Sequence, residues 1–247
     1  MIDVVYIKFD KVKNSRCIRC IMAFTMILAE SSLELIPEEL ASEKGIISYC
    51  RRVGRPISGC LLDRSYHHQA MSKLPQSYKR GRPDIAYHVM LDTVYSPLFM
   101  DGLMNFYIHT FQDKVIEFGP GVRPPREYSR YEGLMVDLFR KGNIIEDGKM
   151  LLSIRNCGMK GLLNKIKPAL VIGLSILGEP SSVENVARIC AATDSAAIVI
   201  GGFPHGHFSQ GLQEMLDRTF SIASKGLDAS LVSARVIYEV ERSLGVT

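Results

Sequence analysis

Gly201-Gly-Phe-Pro-His-Gly-His-Phe208 follows Ala196-Ala-Ile-Val-Ile200, a short apolar run that reads as a strand buried on both faces. Two glycines at the end of such a strand let the chain turn sharply. They also let a ligand reach the backbone, because no Cβ stands in the way. The stretch is a binding loop, and its neighbours tell what kind of sheet carries it.

Upstream, the apolar run from Ala169 to Leu177 stops at glycine and proline, which makes Leu174-Ser-Ile-Leu-Gly-Glu-Pro180 a second candidate loop. Downstream, Phe220-Ser-Ile222 reads as a brief strand and Ala223-Ser-Lys-Gly-Leu227 as a turn, with Asp228 positioned to cap a last helix through Arg242. Leu231, Val232, Val236, Ile237 and Val240 recur at helical spacing and predict one buried face. Three strand ends followed by loops predict a single cofactor cleft at the carboxyl edge of a parallel sheet. From Leu162 to Leu244 strand and helix patterns alternate, so the fold class is α/β with a mainly parallel sheet.

Toward the N-terminus, Met22 to Ala29 reads as a further buried strand and Glu38 to Arg52 as a helix. Tyr66 to Leu74 reads as a short helix holding His67 and His68. Neighbours in a helix point about 100° apart, so these two read as one packed and one hydrogen-bonded side chain rather than a metal pair. Lys79-Arg-Gly-Arg82 is a dense basic turn that opens a helix from Pro83 to about Val94. Asp84 is either the cap of that helix or a proton acceptor. Arg82 beside it favours a site, since such a pair can bind a phosphate or base edge and take a proton.

Asn105 to Thr110 and Val115 to Phe118 flank Gln112-Asp-Lys114 as a hairpin, which predicts an antiparallel lobe inserted at about residues 100–150. Arg123, Arg126 and Arg130 follow, set among Pro124, Pro125 and Tyr128. Prolines stiffen such a loop, so its arginines read as phosphate clamps beside base-stacking rings, with a solvated basic loop as the bland alternative. Tyr131 to Arg140 reads as a helix with Leu134, Met135 and Leu138 inward.

Composition sets outer bounds. The chain has 247 residues, 47% of them hydrophobic, enough for a sizeable core, and a net charge of +4, which permits a polyanionic partner without demanding one. Its six cysteines, at positions 17, 20, 50, 60, 157 and 190, are scattered and read as reduced thiols of a cytoplasmic protein. Cys17-Ile-Arg-Cys20 has the spacing of half a zinc site with no second half. Lys11, Lys13, Arg16 and Arg19 before the run Ile21 to Ala29 imitate a signal peptide. No small-residue cleavage site follows, and Met22 is itself a candidate start. No membrane span is expected, and the absence of GxGxxG and P-loop patterns argues against an ordinary nucleotide-binding protein.

Gly201-Gly-Phe-Pro-His-Gly206, Arg82-Pro-Asp-Ile85, Tyr107-Ile-His-Thr110, Arg123-Pro-Pro-Arg126 and Arg130-Tyr-Glu-Gly-Leu-Met135, in that company, resemble the ribosome-biogenesis pseudouridine-N1 methyltransferases of the SPOUT class. The resemblance is closest to the archaeal type. It covers Met22 to Leu244, leaving residues 1–21 as an extension and 22–247 as one α/β-knot domain. It implies a C-terminal trefoil knot threaded near residues 222–233, and a homodimer with cofactor sites at the subunit interface.

The resemblance also implies S-adenosylmethionine as cofactor, held by Ser175, by Gly201, Gly202, Phe203 and Gly206, and by Ile222, Ala223, Ser224, Lys225, Gly226 and Leu227. Arg82, Arg123, Arg126 and Arg130 are the implied contacts to small-subunit ribosomal RNA, with neither DNA nor a membrane as partner. The implied reaction is methyl transfer to N1 of a pseudouridine without a metal, with Asp84 as base and Arg82 steadying the developing anion. Lys225-Gly226 departs from the Tyr-Pro or Lys-Pro of similar sequences, and glycine there loosens the third loop. Two other readings stand beside this one: a non-catalytic RNA-binding assembly factor, and a SPOUT methyltransferase acting on another RNA target.

Overall fold

Strand β1 (Phe24–Ser31) is buried at every residue and lies in the middle of the sheet. Its side chains alternate between two cores. Met26 and Leu28 join one, Ile27 and Ala29 the other, which explains why the strand is a continuous apolar run. The computed structural model describes residues 24–246. The Cys17–Cys20 pair, Met22 as a candidate start and the extension 1–21 lie outside the described residues.

After β1 come α1 (Lys44–Val53), α2 (Arg64–Met71), α3 (Pro83–Val94) and the single turn α4 (Pro97–Met100). Strands β2 (Met104–Thr110) and β3 (Val115–Phe118) precede α5 (Tyr128–Lys141), β4 (Asn143–Glu146), β5 (Lys149–Arg155) and α6 (Gly158–Ile166). The last third runs β6 (Leu170–Pro180), α7 (Val183–Ala191), β7 (Ala196–Gly201), α8 (Gln210–Gln213), β8 (Arg218–Ser221) and α9 (Ala229–Leu244).

The strands form one eight-stranded sheet in the order β4-β5-β3-β2-β1-β7-β6-β8. From β2 to β8 every neighbouring pair is parallel, and β3, β5 and β4 continue it antiparallel. The expected antiparallel insertion therefore exists, but not as a lobe standing apart. Strand β2 satisfies the backbone groups of β1 directly, and β3, β5 and β4 cover the edge that β2 would otherwise expose. The insertion also runs past residue 150, to Arg155.

Helices α3, α5, α7 and α9 cover the Met26 face through Ala86, Met90, Tyr131, Met135, Val186 and Val236. Met159 and Leu162 of α6 and Leu212 of α8 cover the other. On α9, Val232, Val236, Ile237 and Val240 are buried as their spacing predicts, whereas Leu231 is 42% exposed, one residue's rotation outside the buried stripe. Asp228 occupies the N-cap position of α9 without making the expected side-chain bond. The helix expected from Glu38 to Arg52 is broken into a 3-10 turn, Glu38–Leu40, and α1. Leu134 is only half-buried, while Met135 and Leu138 point inward. No described helix is long and apolar enough to cross a membrane.

The basic turn divides between the interior and the surface. Lys79 and Arg80 are folded into the protein, Lys79 Nζ on Glu30 at 2.7 Å and the Arg80 fork on both oxygens of Glu34 at 2.8 and 2.7 Å. Each buried charge is matched by an opposite one, the condition for burying it at all. Of the four residues, Arg82 alone reaches the clefts described next.

Candidate active site at the junction of two clefts

Strands β6, β7 and β8 lie side by side and parallel, so their carboxyl ends meet at one edge. Leu174 and Glu179 both face Phe220, so residues 175–178 bulge out of the β6 ladder. What reads as a loop after Leu174 is thus a bulge inside a strand that runs on to Pro180. Gly178 permits it, since a Cβ there would lie 2.6 Å from the backbone of Thr219 and Phe220.

The three strand ends enclose a cavity of about 340 Å³. Ser175 and Ile176 line it from β6, Gly201 with residues 203–208 from the second loop, and Ile222, Ala223, Lys225, Gly226 and Leu227 from the third. Leu174, Ile200 and Val232 add apolar walls. Of the expected contacts, Gly202 and Ser224 do not line it.

Gly202 has a structural task instead. Its N–H donates to the Ala29 carbonyl at 2.8 Å and its own carbonyl accepts from Ser32 N–H at 2.9 Å, bolting the loop to the end of β1. A Cβ on Gly202 would meet Ser31 Oγ at 2.4 Å and Ser31 Cα at 2.9 Å. The far end of the loop is held by residues that sequence reasoning missed. Glu30 accepts from Ser209 N–H at 3.0 Å and from Lys79, and Lys79 also donates to the His207 carbonyl. The Lys79 ammonium lies 4.4 Å from the centre of the Phe203 ring. The available signal was a lysine and a glutamate beside apolar segments, which cannot reveal that they meet across 49 residues.

A second cleft of about 440 Å³ adjoins the first, with Gly201, Phe203, Pro204, Leu227 and Ala229 common to both walls. Its opposite side carries Arg82, Asp84 and His88. Arg82 Nε and NH2 donate to the two oxygens of Asp84, each at 2.7 Å. Arg82 is itself the N-cap residue of α3, and the Asp84 carboxylate is engaged by the guanidinium rather than by the helix end. This bond raises the Arg82 pKa above its ordinary value, against the opposing effect of partial burial. The pair is a bidentate, planar unit, partly exposed at the mouth of α3, with lone pairs of the carboxylate still free to accept.

Beyond this pair lies a third cleft, about 580 Å³, lined by Asp63, Tyr66, Tyr87 and Tyr128. Tyr128 donates to Asp63 at 3.4 Å, and burial, then the charges of Asp63 and Glu132, push its phenol well above the usual range, so it remains a donor. His67 is buried and takes the Asp63 N–H on Nδ1 at 3.0 Å, while its neighbour His68 is exposed. One histidine is thus packed and hydrogen-bonded, and the two diverge.

The Arg123–Arg130 segment lies along α3. Tyr95 donates to the Pro124 carbonyl at 3.0 Å and Tyr87 to the Arg126 carbonyl. Arg126 rests its guanidinium 4.6 Å from the Tyr95 ring centre, and Arg123, Arg126 and Arg130 are all exposed. Arg130 pairs with Glu127 at 3.1 Å in full solvent, an interaction too screened to hold it.

Glycine loops line a cleft at the carboxyl edge of parallel strands, beside an Arg–Asp pair, in an α/β architecture. Residues 26–241 match the EMG1/NEP1 methyltransferase family, and the chain belongs to that family. It is 36% identical over 223 residues to "Ribosomal RNA small subunit methyltransferase Nep1" of Pyrobaculum arsenaticum, covering 90% of this chain and 99% of that one. It is 38% identical over 218 residues to the protein of the same name from Staphylothermus marinus, covering 88% and 94%. The crystal structure of Archaeoglobus fulgidus Nep1 bound to S-adenosylhomocysteine superposes with a TM-score of 0.79 at 29% identity, over 91% of this chain and 99% of that one.

Proposed function

We propose that the protein transfers a methyl group from S-adenosylmethionine to N1 of a pseudouridine in small-subunit ribosomal RNA, as a cytoplasmic enzyme of ribosome biogenesis. One observation carries this: the cavity at the strand ends and the cleft holding Arg82 and Asp84 share a wall, so two ligands bound there meet. The relatives named for ribosomal RNA methylation and the homologue holding S-adenosylhomocysteine agree with it.

The first cavity suits the cofactor. Its volume of about 340 Å³ falls in the range of roughly 300–1,000 Å³ usual for small-molecule sites. Leu174, Ile200 and Val232 offer apolar surface, and the loops at 201–206 and 222–227 offer backbone polar groups. When bound, S-adenosylmethionine supplies an already electrophilic methyl group. Nothing further is needed for activation, so the chain's task is to align the acceptor and remove its proton. Asp84 accepts the N1 proton, and Arg82 both orients the carboxylate and steadies the anion formed as the proton leaves. The test is methyl transfer into two hairpins that differ only in uridine or pseudouridine at one position. Transfer to the pseudouridine hairpin alone is expected, and equal transfer to both would point to another target atom.

Two further parts belong to this reading. A trefoil knot threaded by residues 222–233 fits the adjacency of β8 to β6 with α9 following. A homodimer fits the bare apolar side chains on the elements around the cofactor cavity, where Ile176 is 52%, Leu177 66%, Leu231 42% and Tyr238 54% exposed. Leu177→Asp is expected to convert the dimer to a monomer in sedimentation velocity while leaving the fold intact, because no core packing is lost. A variant that sediments like the wild type would remove this edge from the interface.

The arginines of the proline-stiffened loop bind RNA phosphates. Replacing Arg123, Arg126 or Arg130 by Ala is expected to lower the slope of log affinity against log salt by about one unit per lost contact, with cofactor affinity unchanged. An unaltered slope would return the loop to a solvated surface.

A further inference from the structure

The third cleft has no task in the reaction as derived, yet three tyrosines and a histidine line it. Tyr66, Tyr87, Tyr128 and His88 contribute to it, and Arg82 and Asp84 separate it from the cleft assigned to the target base. Its contents select among parts of a nucleotide. The Asp63 carboxylate lies in its wall, and burial together with that charge raises the pKa of nearby Glu132. Arg64 and Arg82 line the cleft beside Asp63 and Asp84, so its charges balance and its tyrosine rings are the surface left for a base.

Tyr66 stands out because it is 52% exposed and yet packed on two neighbours. Its ring stacks on Tyr49 with centroids 4.8 Å apart and planes at 30°. The Arg52 guanidinium lies 5.6 Å from the Tyr66 centroid and 5.5 Å from that of Tyr49. Tyr49 and Arg52, both on α1, thus brace a ring on α2 whose remaining surface faces solvent. An aromatic ring fixed before binding loses little entropy when a base stacks on it. Arg52 is exposed beside it, so a backbone phosphate has a cation to meet while the base enters the cleft.

We propose that this cleft is a second nucleobase subsite, in which an unpaired nucleotide flanking the target stacks on Tyr66. The subsite rests on the RNA reading above and deepens it, since single-stranded RNA is read by splayed bases stacked on aromatic and guanidinium planes. Holding a neighbour keeps the target nucleotide splayed into the adjoining cleft.

The test is hairpin affinity for wild type, Tyr66→Ala and Tyr66→Phe across a salt series, with S-adenosylmethionine affinity measured in parallel as a check on the fold. Tyr66→Ala is expected to weaken hairpin binding on the order of tenfold, with the salt slope and cofactor affinity unchanged and with Tyr66→Phe near wild type. 2-Aminopurine placed beside the target nucleotide should be quenched on binding to the wild type and less so with Tyr66→Ala. Hairpin affinity within twofold of wild type for Tyr66→Ala, with the hairpin still bound by the wild type, would overturn the subsite alone. A wild-type protein that does not bind the hairpin at all would overturn the RNA reading and the subsite with it.

Discussion

Gly201→Val is expected to weaken S-adenosylmethionine binding on the order of 100-fold, which is about 2.7 kcal/mol, in a protein that still folds. Gly201 ends β7 opposite Ala29 and lines both the cofactor cavity and the cleft beside it. A Cβ there would sit 2.8 and 2.9 Å from atoms of the Phe203 ring, closer than such contacts occur. The obstacle is the far end of a side chain, so the fold can survive by moving the ring. The ring itself lines the cavity, and displacing it, together with the two added methyl groups, fills ligand space. Calorimetric titration with the cofactor, beside a thermal melt, checks both halves. Wild-type affinity in a folded variant would take the second loop out of the site. Gly202 cannot serve this test, because its missing Cβ makes room for Ser31 and its loss would act on folding.

The contrast between these two glycines marks how far the sequence could be read. Gly201-Gly202 was legible as a strand end that needs no side chain, but the reasons differ by residue, the Phe203 ring at the cavity wall for one and the approach of β1 for the other. Elements with strong local signals came out within a few residues: Pro83 to Val94 at both ends, and Val115 to Phe118 likewise. The continuity of the antiparallel strands with the parallel sheet was not legible, because a hairpin pattern fixes who pairs within it and not what its outer edge meets. The places of Lys79 and Arg80 were not legible for a related reason. Four residues with three positive charges read only as a basic turn, and the tertiary partners Glu30 and Glu34 turn two of them inward. The bulge at 175–178 was foreseen as a loop, since Gly and Pro announce an interruption without saying that the ladder resumes.

Asp84→Asn is expected to slow methyl transfer by about 10² to 10⁴, the usual range for loss of a general base. Asparagine keeps the size of the side chain and one oxygen for Arg82, so one of the two bonds survives while the amide NH2 faces the other guanidinium donor. What it loses is the negative charge and the capacity to take a proton. A capping role would make the change nearly silent, since Asn caps as well as Asp, but the carboxylate is bonded to the Arg82 guanidinium and lines the cleft. A role confined to orienting Arg82 would weaken RNA binding and spare the rate at saturation.

Single-turnover methyl-transfer rates for wild type and Asp84→Asn, taken across pH at saturating S-adenosylmethionine and pseudouridine hairpin, test the central claim that the Arg82–Asp84 pair is the reaction centre beside the cofactor cleft. The expected result is a variant slower by about 10² to 10⁴ at every pH, with both affinities held. A variant whose saturated rate stays within threefold of wild type at every pH would contradict it.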